Sequence, residues 1–323
     1  MKEFIEKIIR WVDDNKEWLF SGVGITFIGW ILVNVNKDKD KDKDKEIVSD
    51  QRKSINVNDQ IKKSEEIINH EVNNGIYEMV DRFISIYESH EVLINQISSF
   101  VDMSFNLKIS DFKDKDSILN ILSDSLLDWT CDTFGVKRDW IDGRDKRKYI
   151  SRNYYKRVHT FLELLVELNK QYKNELNVYM FKNGHLNPNK YGRTFVMFLF
   201  QIPIKPINGH MVYKYIPITT NWDWGYWRTR YQIKSIIYFM NRLNINIDGY
   251  DLSDDYTQLA GGYVFPETVT NKLLLGYTWY PEDYIYFSTQ SIQAKETDET
   301  GKIKEYIIDE GYQDYFNTLM SCG

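Results

Sequence analysis

Residues 194–218 read TFVMFLFQIPIKPINGHMVYKYIPI, two strand-like runs on either side of one Asn-Gly pair. The runs Thr194–Ile204 and His210–Ile218 are rich in β-branched and aromatic side chains. Asn208-Gly209 is the dipeptide favoured where a tight hairpin turn needs positive φ at both central residues, so a β-hairpin is predicted. Upstream, Tyr149–Lys173 places Val158, Phe161, Leu162, Leu165, Val166 and Leu168 on one side of a helix, and Leu176–Phe181 reads as another strand. A turn-rich connection, Asn183-Gly184-His185 then Asn187-Pro188-Asn189, leads into the hairpin. Downstream, Ile233, Ile236, Ile237, Met240 and Leu243 recur at helical spacing within Thr229–Leu243. Strands are expected at Leu273–Trp279 and Tyr284–Ile292, with Pro281-Glu282-Asp283 between them. Ile303–Ile308 is read as an extension of the sheet and Tyr312–Met320 as a closing helix. The fold class is α+β: an antiparallel sheet with helices over residues 149–323.

That order of elements is similar to GAF- or PAS-like sensory domains over Tyr149–Gly323. The resemblance implies a ligand pocket between one sheet face and the middle helical section. It transfers no residue, because that family has no universal motif to match.

Residues 59–148 read as a helical stalk and a helical hairpin. Val72, Ile76, Met79, Phe83, Ile86, His90, Ile94, Ile97 and Val101 step by three and four, a heptad-like stripe along one long helix. Ile84, Tyr87 and Leu93 widen the stripe, which favours packing within the chain over a coiled coil between two copies. Gly75 marks a candidate start. Two helices, Ile118–Thr133 and Lys137–Ile141, follow around Phe134-Gly135-Val136. This turn, with Arg138-Asp139-Trp140-Ile141-Asp142-Gly143, resembles that of repressor-type helix-turn-helix proteins, which implies DNA binding. Asp111, Asp114, Asp116, Asp124, Asp128 and Asp132 depart from the family and would repel phosphates, so a packing or docking hairpin is the preferred reading.

The N-terminal region is of another kind. Trp18–Val35, WLFSGVGITFIGWILVNV, is eighteen residues without a charge. As a helix it rises about 27 Å, near the thickness of a hydrocarbon core. Trp18 and Trp30 stand near its ends at headgroup level, and Gly22, Gly24 and Gly29 are tolerated in lipid. A single transmembrane helix over 18–35 is expected. Residues 1–17 carry Phe4, Ile5, Ile8, Ile9, Trp11 and Val12 opposite Lys2, Glu6, Lys7 and Arg10, an amphipathic helix suited to the interface. The Lys-Asp alternation from Lys37 to Lys45 lies in a flexible charged linker, 36–58. Slightly more lysines follow the span than precede it, and the two cysteines, Cys131 and Cys322, make no disulfide framework. Both place the C-terminal domain in the cytoplasm, anchored to the cell membrane.

The whole chain has 323 residues, with 47 acidic against 41 basic side chains and a net charge of −6. That length holds one or two domains, and the charge disfavours nucleic acid as a partner. No zinc, thiol, Walker or serine-hydrolase motif is present, and the five histidines are scattered. Acidic clusters at Asp251, Asp254, Asp255, Glu282 and Asp283 read as solvated turns. The densest candidate site is Asn221–Tyr231, where Trp222, Trp224, Tyr226 and Trp227 alternate with Arg228 and Arg230. Aromatic faces stack on nucleobases and guanidinium forks match phosphates, so this segment is a candidate lid over a nucleotide. The competing reading is a loop whose rings plug the end of a small sheet. Gly261-Gly262 is a second place where a backbone could approach a ligand.

Together these features point to a membrane-anchored, non-enzymatic sensor or effector that binds a small ligand or a partner protein and signals to the span. The layout fits a bacterial or phage-linked defence role. An adaptor that docks another protein is the alternative, and a tethered enzyme a further one. The expected partners are the lipid bilayer, a second copy in a homodimer or higher oligomer, and a small molecule or protein; no cofactor is indicated.

Overall fold

The computed structural model describes residues 75–150, 152–218, 222–252, 255–273, 278–285 and 294–321. The interfacial helix, the span with Trp18, Gly22, Gly24, Gly29 and Trp30, and the charged linker lie outside the described residues. Among the described residues no helix is long and apolar enough to cross a membrane. The chain divides into two units between His70 and Glu71, and every described residue belongs to the second.

The domain is α+β, built on a sheet of β1 (Asn177–Lys182), β2 (Val196–Ile207), β3 (His210–Ile218), β4 (Asn246–Asp251) and β5 (Thr278–Trp279). Their order is β3-β2-β1-β4-β5. The predicted hairpin is β2–β3, with Asn208 at φ 49° and Gly209 at φ 81° in its turn. Pro203 and Pro206 are accommodated because β2 pairs with β1 only from Val196 to Gln201; farther along, β2 pairs with β3 alone and the register shifts between Pro203 and Lys205.

The sheet is mixed, which corrects the antiparallel expectation: β1 and β4 run parallel, Asn177 opposite Asn246 through Lys182 opposite Asp251. Strand β4 reads NIDGYD, short and polar, and carries no alternation that would reveal it. Its Gly249 is required, since a Cβ there would lie 2.2 Å from the Trp279 carbonyl oxygen.

The helices are α1 (75–89), α2 (Lys115–Ile121), α3 (Asp124–Phe134), α4 (Arg138–Ile141), α5 (Val158–Tyr172), α6 (Trp227–Arg242), α7 (Tyr256–Ala260), α8 (Pro266–Thr270), α9 (Ala294–Asp309) and α10 (Tyr312–Ser321), with a further single α-helical turn at Ile97–Phe100 between α1 and α2. Both sheet faces are covered, which explains why the whole run Val196–Phe200 is buried. Val178, Met180, Phe198 and Phe200 share a core with α5, α6, α9 and α10. Phe181, Met197, Leu199 and Tyr215 pack on the other face with Tyr256, Leu259 and Val269. A further core joins Phe83, Ile86, Tyr87, Phe100 and Phe134 to Val212 and Phe265, so the helical region expected as a stalk packs on the hairpin of the sheet.

Several boundaries differ from the sequence reading. The long heptad helix stops at residue 89: Glu91 takes φ 60°, and Val92 N–H donates to the Tyr87 carbonyl at 2.9 Å, a left-handed C-terminal cap. The stripe residues Phe83 and Ile86 are buried within the chain. The single helix over Ile118–Thr133 is two, because Leu122 leaves helical geometry and Ser123 caps α3 by accepting from Leu126 N–H at 3.3 Å. Ile303–Ile308 is part of helix α9, where Ile303 and Ile307, four apart, bury the same face. Of the two late strands, Thr278–Trp279 is a strand and Pro281–Tyr284 is a 3₁₀ turn; residues 274–277 and 286–293 lie outside the described residues.

Candidate functional site

The aromatic segment is tied to the end of the sheet by its backbone. Val196 N–H donates to the Trp222 carbonyl at 3.0 Å, and Trp224 N–H to the Thr194 carbonyl at 2.9 Å. Buried Asp223 then accepts from Gly192 N–H at 2.7 Å and from Gly225 N–H at 2.9 Å, stapling the loop after β1 to the turn before α6. Gly225 is indispensable here, since a Cβ would lie 2.3 Å from the Lys190 carbonyl oxygen.

This scaffold separates the six candidate residues into two groups. Trp222 is buried against Phe198, with ring centroids 4.9 Å apart, and Trp224 against Tyr284 at 5.1 Å. Arg230 is buried with them. It donates to the Trp224 carbonyl at 2.6 Å and, through two nitrogens, to Glu299 of α9 at 2.8 and 2.5 Å. Lys234 donates to the same carboxylate at 3.1 Å. Burial alone would raise the Glu299 carboxyl, but the bonds and charges of Arg230 and Lys234 hold it below its ordinary value. These three predicted residues, Trp222, Trp224 and Arg230, are buried in the core.

Tyr226, Trp227 and Arg228 stay at the surface. Trp227 is 48% exposed, and the Arg228 guanidinium lies 5.1 Å from its ring centroid. The Tyr226 ring meets the edge of Tyr191 at 6.0 Å. Tyr191, 74% exposed, is one wall of a cleft of about 570 Å³ in the loop after β1, lined also by Gly184, His185, Asn187, Lys190 and Arg193. Among the described residues no carboxylate lines it. Helix α6 begins beside Tyr226 with no side-chain cap, so the partial positive charge of its first turn adds to that of the cations. The result is an open basic cleft with exposed rings at its edge, of a size usual for small-ligand sites.

The loop residues His185, Lys190, Tyr191 and Arg193 were invisible as site residues because the segment reads as a turn. The signal available was Lys190-Tyr191-Gly192-Arg193, a cation–aromatic run of the same composition as Trp227-Arg228. Other candidates resolve into structure. Gly262 approaches the Tyr149 backbone, where a Cβ would lie 2.5 Å from the carbonyl oxygen. Asp251 pairs with Lys182, and Arg138 is gripped by Asp124, Asp128 and Asp142 at 2.5, 2.5 and 2.9 Å. Helix α4, in the helix-turn-helix-like segment, has four residues. Among the described residues no cluster of three His, Cys, Asp or Glu side chains could hold a metal ion. Compared with known proteins, the chain matches no family model, no curated protein and no solved structure.

Proposed function

We propose that the chain is a membrane-anchored, non-enzymatic sensor or effector whose cytoplasmic α+β domain binds a small anionic ligand, a nucleotide being the chemistry that fits best. The observation that carries this reading is the basic cleft of Lys190, Arg193 and His185 beside the exposed rings of Tyr191 and Trp227. Guanidinium and ammonium groups would hold phosphate oxygens, and the exposed rings would stack on a base. The anchor is the Trp18–Val35 segment, and ligand binding is relayed to it as a GAF- or PAS-like sensory domain would do.

Thermal unfolding of the full chain in detergent, with and without a panel of mononucleotides and cyclic nucleotides, tests the proposal. A raised midpoint with one of them, lost in Arg193→Ala and in Arg228→Ala while the unliganded midpoint stays, is the expected result. No shift with any member of the panel overturns the nucleotide reading. A second reading, an adaptor docking another protein, is favoured by Leu93, Met103 and Ile109, large apolar side chains left exposed on the segment between α1 and α2. Co-purification of a stoichiometric partner, lost on Met103→Asp, would support it.

A further inference from the structure

Four elements converge on Phe265, just before α8. Its ring centroid lies 6.2 Å from that of His90, at the end of α1, and 6.2 Å from that of Tyr149, beyond α4. The His90 ring is 6.3 Å from Tyr215 of β3. Glu267, in the first turn of α8, lies close enough to Tyr149 and Tyr215 for its charge to raise both hydroxyls. All four polar side chains are buried.

Three of their atoms have no hydrogen-bond partner among the described residues: His90 Nε2, the Tyr149 hydroxyl and Glu267 Oε2. The Tyr215 hydroxyl, by contrast, accepts from Gln201 Nε2 at 3.0 Å. His90 Nδ1 lies 2.6 Å from the Ile86 carbonyl oxygen, so that nitrogen carries the proton and Nε2 is a bare acceptor. Burial pushes the Glu267 carboxyl up to about 8, against a contact from the Tyr215 hydroxyl, so at neutral pH it offers an O–H. Tyr149 offers an O–H and lone pairs. The set is therefore complementary: two donors and an acceptor, all neutral.

A buried polar atom left unmatched costs about 1–3 kcal/mol, and three at one junction would consume a large part of a domain's net stability. Folded proteins keep such groups where ordered water bridges them, each water making two to four bonds. We propose that His90 Nε2, Tyr149 Oη and Glu267 Oε2 line an internal site for ordered water that fastens the helical layer to the sheet. The occupant is neutral and small. Lys148, 5.0 Å from the Phe265 ring centroid, donates instead to the Tyr263 carbonyl at 2.9 Å. Glu91, the other carboxylate near Glu267, is held by His210 and Asn271, each at 2.8 Å.

The sign of one substitution in the full chain tests this. If water bridges the junction, Tyr149→Phe removes a partner and lowers Tm by about 2–6 °C. If the hydroxyl is an orphan, the same change removes a desolvated group and Tm rises; a rise or no change overturns the proposal. Glu267→Gln keeps a neutral donor and acceptor without the cost of protonating a carboxyl at pH 7, so Tm should hold or rise. Glu267→Leu leaves the other groups unmatched and lowers Tm below that of Glu267→Gln; equal Tm in the two variants counts against the site. Should Tyr149→Phe fail to fold, a crystal structure of the parent chain decides: water density in contact with the three atoms supports the assignment, and a dry junction overturns it.

Discussion

The rim around Trp227 and the junction around Glu267 treat polar groups in opposite ways. At the rim Lys190, Arg193 and Arg228 remain at the surface, and the rings of Tyr191 and Trp227 stand out from it. At the junction an imidazole, a phenol and a carboxyl are carried inside, and the protein itself leaves an atom of each unmatched. Groups already in water cost little to remove, whereas groups already desolvated cost much when their surroundings change. Rim substitutions should therefore alter binding and spare stability, and interior substitutions should do the reverse.

The largest expected effect contrasts Arg228 with Arg230, two residues apart on α6. Glu299→Ala leaves Arg230 and Lys234 buried beside Trp224 without that carboxylate, and breaking a buried pair of this kind costs about 3–5 kcal/mol. Arg228→Ala, at the surface, should stay within about 0.5 kcal/mol. Urea midpoints of the two variants measure the difference, and similar losses would erase the division between core and rim.

The next effect is a pH dependence confined to the junction. The Glu267 carboxyl is raised from 4.5 to about 8, so the folded state binds the extra proton and stability falls as pH rises through that window. Burial lowers His90 from 6.5 to about 4, so there the unfolded state binds the proton and stability rises with pH. The two trends oppose one another below pH 6.5, and only that of Glu267 persists between 6.5 and 8. Its slope there approaches about 1.4 kcal/mol per pH unit at most. Glu267→Gln should flatten the urea midpoint over that range; an unchanged slope would assign the dependence elsewhere.

Both regions show how far a linear sequence carries. The β2–β3 hairpin was legible because Asn208-Gly209 fixes a turn by local sterics alone, and α6 was legible because its apolar face keeps one period. Strand β4 was not, since NIDGYD becomes a strand only through its parallel pairing with β1. The helical identity of Ile303–Ile308 lay in the spacing of Ile303 and Ile307, masked by the β-branched composition between them. Half of the candidate lid was misplaced for a related reason: composition shows that Trp222, Trp224 and Arg230 have stacking and anion-binding chemistry, but only the fold shows which way the chain turns. The residues that do line the cleft arrive from a loop some thirty positions upstream. The junction was out of reach, because His90, Tyr149 and Glu267 come from three distant segments.

A middle-sized effect probes the staple that joins these levels. Gly225→Ala would place a methyl group 2.3 Å from the Lys190 carbonyl oxygen, so the loop after β1 must move away from the turn before α6. Overpacking of this kind costs about 1–3 kcal/mol. Because Asp223 holds Gly192 and Gly225 together, the cleft should open as well, visible as faster proteolysis within residues 184–193. A loop that stays protected would mean the rim is held by other contacts.

The smallest effect on stability, and the one most specific to the rim, belongs to Tyr191. Its ring is largely in solvent and meets the edge of Tyr226, so Tyr191→Ala should change the unfolding free energy by less than about 0.5 kcal/mol. If the ring stacks on a base, the same change weakens nucleotide binding by about 1–3 kcal/mol, a difference that titration calorimetry resolves. Tyr191→Phe keeps the aromatic face and should restore most of that loss, because stacking does not need the hydroxyl. Equal affinity in the alanine and phenylalanine variants would remove stacking from the account and leave the cleft to its cations alone.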